Sequence, residues 1–227
     1  MSQDDAPLAP ADVAELPLFP LPEAVLFPGT ALPLHVFEPR YRKLIADVLR
    51  GKRVLGIARL RPGFEQDYYG RPPLFEVCGV GRVIKDVALP DGRFNVVVLG
   101  LERARIVEEL PFEPYRVARA ELLSSREAHT ALAWSSWYPK LEQLARRLSP
   151  HVSPADTEEL GRLVREAPSA GACADRLAAA LIADADERQR LLEELDPTER
   201  LTRVLARLHE LASTFGAAAS PPASELN

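Results

Sequence analysis

Cysteine is nearly absent from this chain: Cys78 and Cys173 are the only two in 227 residues, each in an apolar context. Two distant cysteines make neither a disulfide framework nor a metal-ligand pair, and they fit a reducing, cytoplasmic setting. Lysine is almost as scarce, with Lys43, Lys52, Lys85 and Lys140 the only four among 28 basic residues. The four histidines, His35, His129, His151 and His209, are too far apart in sequence for metal-ligand spacing. P-loop, HExxH, CxxC and GxSxG patterns are missing. The expectation is therefore no catalytic residue, no metal and no cofactor. No apolar run is long enough to cross a bilayer, and the opening MSQDDAPLAPADVAE lacks the basic and apolar regions of a signal peptide. A net charge of −5 supplies no global attraction to nucleic acid.

What is present is an ordinary globular composition, 47% hydrophobic and 27% charged, in a chain long enough to bury its own core. Its character changes near Ser124. Before it, Pro and Gly punctuate short β-branched and aromatic runs, the pattern of strands and turns. After it, Ala, Leu, Glu and Arg recur at helical spacing. Residues 15–123 thus read as a β-rich part, 124–215 as a helical part, and 1–14 and 216–227 as flexible ends. Pro28-Gly29 suits a type II turn. Pro39 suits the first position of a helix carrying Tyr41, Leu44, Ile45 and Val48 on one face, with Gly51 as its stop. Pro90-Asp91-Gly92 signals a hairpin between apolar runs, with strands at Phe94–Leu99 and Ala104–Val107. Asp196-Pro197-Thr198-Glu199 starts the last helix, and Trp134 and Trp137 suit a junction between the two parts. The Gly79-Val80-Gly81 pair reads as a glycine-relaxed strand crossing in a barrel rather than as a dinucleotide fingerprint.

Four blocks, in order, carry a resemblance. Leu16-Pro17-Leu18-Phe19-Pro20-Leu21, Leu26-Phe27-Pro28-Gly29 and Pro33 through Arg42 resemble the opening of the Lon protease amino-terminal domain, the LON substrate-binding domain. Phe75–Ile84, Leu89–Ile106 and Leu192–Leu201 resemble its later strands and its last helix. The resemblance implies an α+β fold: a PUA-like β-barrel of about six strands with one early helix, followed by an all-α subdomain. It also implies a binding module. A chain of 227 residues leaves no room for the family's ATPase and peptidase parts, and no lysine lies in a sequence like its Ser-Lys peptidase. The expected partners are unfolded or apolar polypeptide segments and an ATP-dependent protease, with no membrane and no nucleic acid.

Candidate contacts are Phe27, Phe37 and Arg40 in the opening block, and Phe64, Tyr68, Tyr69 and Arg71 in the loop Phe64–Pro73. Tyr and Arg on a Pro/Gly-framed loop offer contact area at low entropic cost; equally, the loop's aromatics can tuck back onto the sheet. Arg40, near a helix N-terminus, calls for a carboxylate such as Glu38 or Glu76. Two other readings stay open: an enzyme of unknown chemistry in a pocket between barrel and helices, and an RNA-binding PUA-like barrel.

Overall fold

The structure, a computed structural model, describes residues 7–68, 70–125 and 154–218, with positions 139 and 143. Its strands are β1 (Leu16–Leu21), β2 (Ala31–Val36), β3 (Val54–Arg59), β4 (Val77–Ala88), β5 (Phe94–Leu110) and β6 (Arg116–Leu123). Its helices are α1 (Pro39–Arg50), α2 (Pro154–Arg165), α3 (Ala170–Leu181), α4 (Ala185–Glu193) and α5 (Pro197–Ala218). The fold is α+β, and the chain forms two compact units, Met1–Ser124 with Ala183–Leu195, and Ser125–Ile182 with Asp196–Asn227.

In the first unit one sheet runs β2-β5-β4-β3-β1-β6, and β5 pairs a second time with β6. The double role is possible because β5 is a single 17-residue strand. Phe94–Leu99 lies opposite β2, and Arg103–Leu110 lies opposite β6. Sequence punctuation suggests two strands here; the structure carries one strand through Gly100, with register irregularities against β4 and β6. Such bulges add local bend and twist. β1 and β3 are parallel and joined through β2 and α1, while all other pairings are antiparallel.

Both sheet faces are buried over the central strands. Leu55 and Ile57 of β3 join Phe19, Val83, Val96 and Val98 in one cluster, which α1 covers with Tyr41, Leu44, Ile45 and Val48. Val54 and Ala58 join Leu16, Leu18, Cys78 and Val80 in the other. Pro39 opens α1, as its fixed φ favours. Gly51 ends it at φ −101°, so the stop does not use a left-handed glycine; the positive φ falls on Arg53 instead.

Pro28-Gly29 makes the expected turn: Gly29 has φ +72° and Thr30 N–H donates to the Phe27 carbonyl at 3.2 Å. This segment crosses the sheet at very short range. A Cβ on Gly79 would lie 2.0 Å from the Leu26 carbonyl oxygen, and one on Gly100 would lie 2.1 Å from that of Phe27. Gly79 is thus required by a backbone crossing, as its strand context indicates. Gly79→Ala forces backbone to move, and is expected to cost about 3 kcal/mol, the upper part of the usual overpacking range. Denaturant titration measures it.

Residues 8–14, assigned from sequence to a flexible end, are held in place. Pro10–Asp12 form a 3-10 turn, Asp12 accepts from Ala9 N–H and Lys52 Nζ, each at 2.7 Å, and Val13 is buried with its carbonyl bonded to Ala120 N–H. At the other end α5 continues to Ala218. Residues 183–195, assigned from periodicity to the helical part, return to the sheet. Four polar contacts dock them: Arg103 Nε on the Leu192 carbonyl (2.8 Å), Gln189 Nε2 on the Val77 carbonyl (3.0 Å), Arg188 Nη2 on the Glu23 carbonyl (2.8 Å), and Arg59 Nη2 on Asp186 Oδ1 (2.6 Å).

Among the described residues the second unit carries α2, α3 and α5. Ser169 caps α3 through Ala172 N–H, and Asp196 caps α5 through Thr198 N–H at 2.8 Å. Buried Asp175 and Arg200 form an ion pair inside it. Burial pushes the thiols of Cys78 and Cys173 up to about 12, which keeps both as inert core groups. Trp134, Trp137, His129 and His151 lie outside the described residues.

Candidate functional site

Two features of the first unit gather the chemistry. The first is the outer face of β2, β5 and the far end of β4. Gly100 N–H donates to the Thr30 carbonyl, so by strand alternation Leu32, Leu34 and Val36 also aim their backbone groups at β5. Ala31, Pro33 and His35 then turn theirs toward the outer edge of β2, which pairs with no strand but β5 among the described residues. Pro33 is tolerated because its missing N–H would have faced outward, and it removes one donor from a template for unwanted strand pairing. The side chains of Ala31, Pro33 and His35 are exposed. Beside them lie Asn95 and Val97 of β5 and Lys85 and Val87 of β4, in register, bounding an open hollow of about 490 Å³. Phe37 and Val87 are the most apolar groups here, 60% and 46% exposed.

His35 is fixed by its neighbours. Arg93 Nη1, which can only donate, sits 3.2 Å from Nε2, so Nδ1 carries the proton and donates to Asn95 Oδ1 at 2.7 Å. The ring stacks beside Phe37 at a centroid distance of 6.2 Å. His35 therefore holds Phe37 and the hairpin residue Arg93 in place at the end of this face.

The second feature is a pocket of about 140 Å³ where the first turn of α1, the loop before β4 and the turn between β5 and β6 converge. Glu38 organises it. Arg40 Nε donates to Glu38 Oε2 at 3.1 Å, Tyr68 Oη donates to Oε1 at 2.8 Å, and Arg40 Nη2 reaches the Tyr68 carbonyl at 3.2 Å. The Arg40 guanidinium also lies over the rings of Tyr41 and Tyr68, 4.6 and 5.4 Å from their centroids. Arg116 is immobilised by Glu109 and by the Pro72 carbonyl. Arg71 is half-exposed, its nearest carboxylate oxygen on Glu109 at 3.8 Å.

Burial pushes the Tyr41 hydroxyl up to about 12; burial and the Asp47 carboxylate, which accepts from its hydroxyl at 3.0 Å, do the same for Tyr115. Both shifts lead away from the range in which a general acid or base works at neutral pH. Among the described residues no group of His, Cys, Asp and Glu could hold a metal ion, and no helix is long and apolar enough to cross a membrane. The arginines and lysine around α1 are largely spent on local carboxylates, Lys43 and Arg50 on Asp47 and Arg53 on Asp86, which leaves no continuous basic stripe there.

The candidates from sequence separate into three groups. Arg40, Tyr68 and Arg71 come together around Glu38 and the pocket, with half-buried Phe64 beside Tyr68 at 6.2 Å. Phe37 stands on the open sheet face. Phe27 is fully buried and does not serve as a surface contact. Tyr69 lies outside the described residues. Sequence reasoning missed Phe112, Pro114, Tyr115 and Arg116. A signal existed: Phe112-Glu113-Pro114 repeats the Phe37-Glu38-Pro39 triplet, and the residues after each triplet line the same pocket.

A family model described as the ATP-dependent protease La (LON) substrate-binding domain matches residues 15–210. The chain is 33% identical over 199 residues to a Lon protease of Anaeromyxobacter dehalogenans (strain 2CP-C), and 32% identical over 197 residues to Lon protease 2 of Myxococcus xanthus. Each match covers 86% of this chain and 23% of the relative, so the chain spans about a quarter of the length of these proteases. Among solved structures, a Lon N-terminal domain protein from Xanthomonas campestris aligns with TM-score 0.58 and 26% identity, covering 85% of this chain and 97% of that one. The N-terminal domain of a Mycobacterium avium complex Lon protease shares the fold, with TM-score 0.63 at 20% identity over 86% of this chain and 98% of that one.

Proposed function

Because the chain belongs to the LON substrate-binding domain family, we propose that it captures exposed apolar segments of unfolded polypeptides on the outer face of β2, β5 and β4, in the service of an ATP-dependent protease. The observation that carries this reading is the open face itself. Phe37, Val87, Val97 and Pro33 form a shallow apolar surface at the unpaired edge of a sheet that is buried on both faces only over its central strands. A shallow face with one edge suits a chain segment rather than a compact small molecule. Pro33 leaves only Ala31 and His35 as edge donors, so side-chain contacts supply most of the affinity and sequence tolerance follows.

Immobilised protein is expected to retain a denatured model protein and not its native form. Phe37→Ser combined with Val87→Ser, both at exposed positions, is expected to weaken that retention about tenfold by removing two apolar anchors. Equal retention of native and denatured forms counts against the reading. Affinity purification from the host tests the link to a protease.

A further inference from the structure

The pocket beneath the loop has a chemistry of its own. Tyr41 is 95% removed from solvent by its surroundings (5% exposed), its ring packs 4.4 Å from that of Phe19, and yet its hydroxyl has no hydrogen-bond partner among the described residues. That hydroxyl is not sealed in: its oxygen keeps some contact with solvent, and Tyr41 lines the pocket. Burial keeps it protonated, so it is a fixed donor. Arg40 adds a guanidinium to the same lining, with Nε and Nη2 committed and Nη1 making no hydrogen bond among the described residues. Arg71 adds a second guanidinium at the rim. Phe112 and Pro114 add apolar surface to the same lining. The carboxylates nearby are mostly engaged, Glu38 by Arg40 and Tyr68, and Glu109 by Arg116; Glu113 also lines the pocket and sets a limit on how much negative charge it accepts.

Donors and apolar surface lining one pocket call for a ligand with a carboxylate and one apolar side chain. The volume of about 140 Å³ is close to that of cavities which take one benzene-sized group. Resting on the polypeptide-capturing reading above, we propose that this pocket binds the C-terminal residue of a client polypeptide, its free α-carboxylate on Arg71, Arg40 and the Tyr41 hydroxyl and its apolar side chain against Phe112 and Pro114. Phe37, which ends the open face, is joined to Arg40 by only two residues, so one client segment can engage both features.

The test uses the full chain and a fluorescent ten-residue peptide ending in leucine, as the free acid and as the C-terminal amide, with N-acetyl-leucine as competitor. The free acid is expected to bind at least tenfold more tightly than the amide. Arg71→Ala with Tyr41→Phe is expected to reduce that ratio below threefold, and Arg71→Lys to restore part of it. Equal binding of acid and amide overturns the proposal while retention of denatured protein continues. Loss of both overturns the polypeptide reading as well. N-acetyl-leucine binding as tightly as the peptide assigns the pocket to small carboxylates and overturns the polypeptide end as its ligand.

Discussion

Asp175→Ala is expected to destabilise the second unit by about 3–5 kcal/mol. Asp175 and Arg200 face each other with side chains 4% and 1% exposed, Arg200 Nε lying 3.2 Å from Asp175 Oδ1 but off the axis of a good hydrogen bond. Arg200 Nη2 also reaches Ser125 Oγ at 3.3 Å. Removing the carboxylate takes this ion pair from a buried guanidinium, and that cost exceeds the worth of the pair itself. The asymmetry gives a second result. Replacing both partners, with Asp175→Leu and Arg200→Met, is expected to recover most of the loss, because no buried guanidinium then remains. Guanidinium denaturation of the single and double variants decides it. A single variant within 1 kcal/mol of the parent contradicts the account of this pair.

Arg103→Ala is expected to cost about 3 kcal/mol and to release residues 183–195 from the sheet. Arg103 is 2% exposed, and its Nε holds the Leu192 carbonyl in the last turn of α4. There it satisfies a carbonyl the helix cannot bond internally and lies at the negative end of its dipole. Gln189, Arg188 and Arg59 hold the rest of the segment. Limited proteolysis is therefore expected to cut the variant first within 183–195, before the sheet unfolds. Cleavage first at another site contradicts the docking role.

Local chemistry was legible in the sequence wherever one or two residues fix a backbone. Pro28-Gly29 specifies its turn, Pro39 the start of α1, and Asp196 the cap of α5. The pairing of Arg40 with Glu38 was legible from charge at a helix start. What was not legible depends on the third dimension. The periodicity of 185–193 says helix but not which unit buries it; that is decided by Arg103 and Val77, about 90 to 110 positions away in sequence. The run through Gly100 carries a break signal, but tertiary pairing on both sides overrides it. Phe27 was attractive as an aromatic in a recognisable block, yet the same turn that makes the block recognisable carries it inside. Phe112–Arg116 escaped attention because a pocket wall needs no periodicity, only convergence of a helix start and two connecting segments.

The most direct test of the central claim is a methyl-resolved NMR titration of the intact protein with a permanently unfolded client. Binding on the open sheet face predicts saturable shifts at Val87, Val97 and Leu99, with the buried methyls of Leu55 and Ile57 unmoved and no response to the same client folded. Shifts confined to other surfaces, or equal responses to folded and unfolded client, would contradict it.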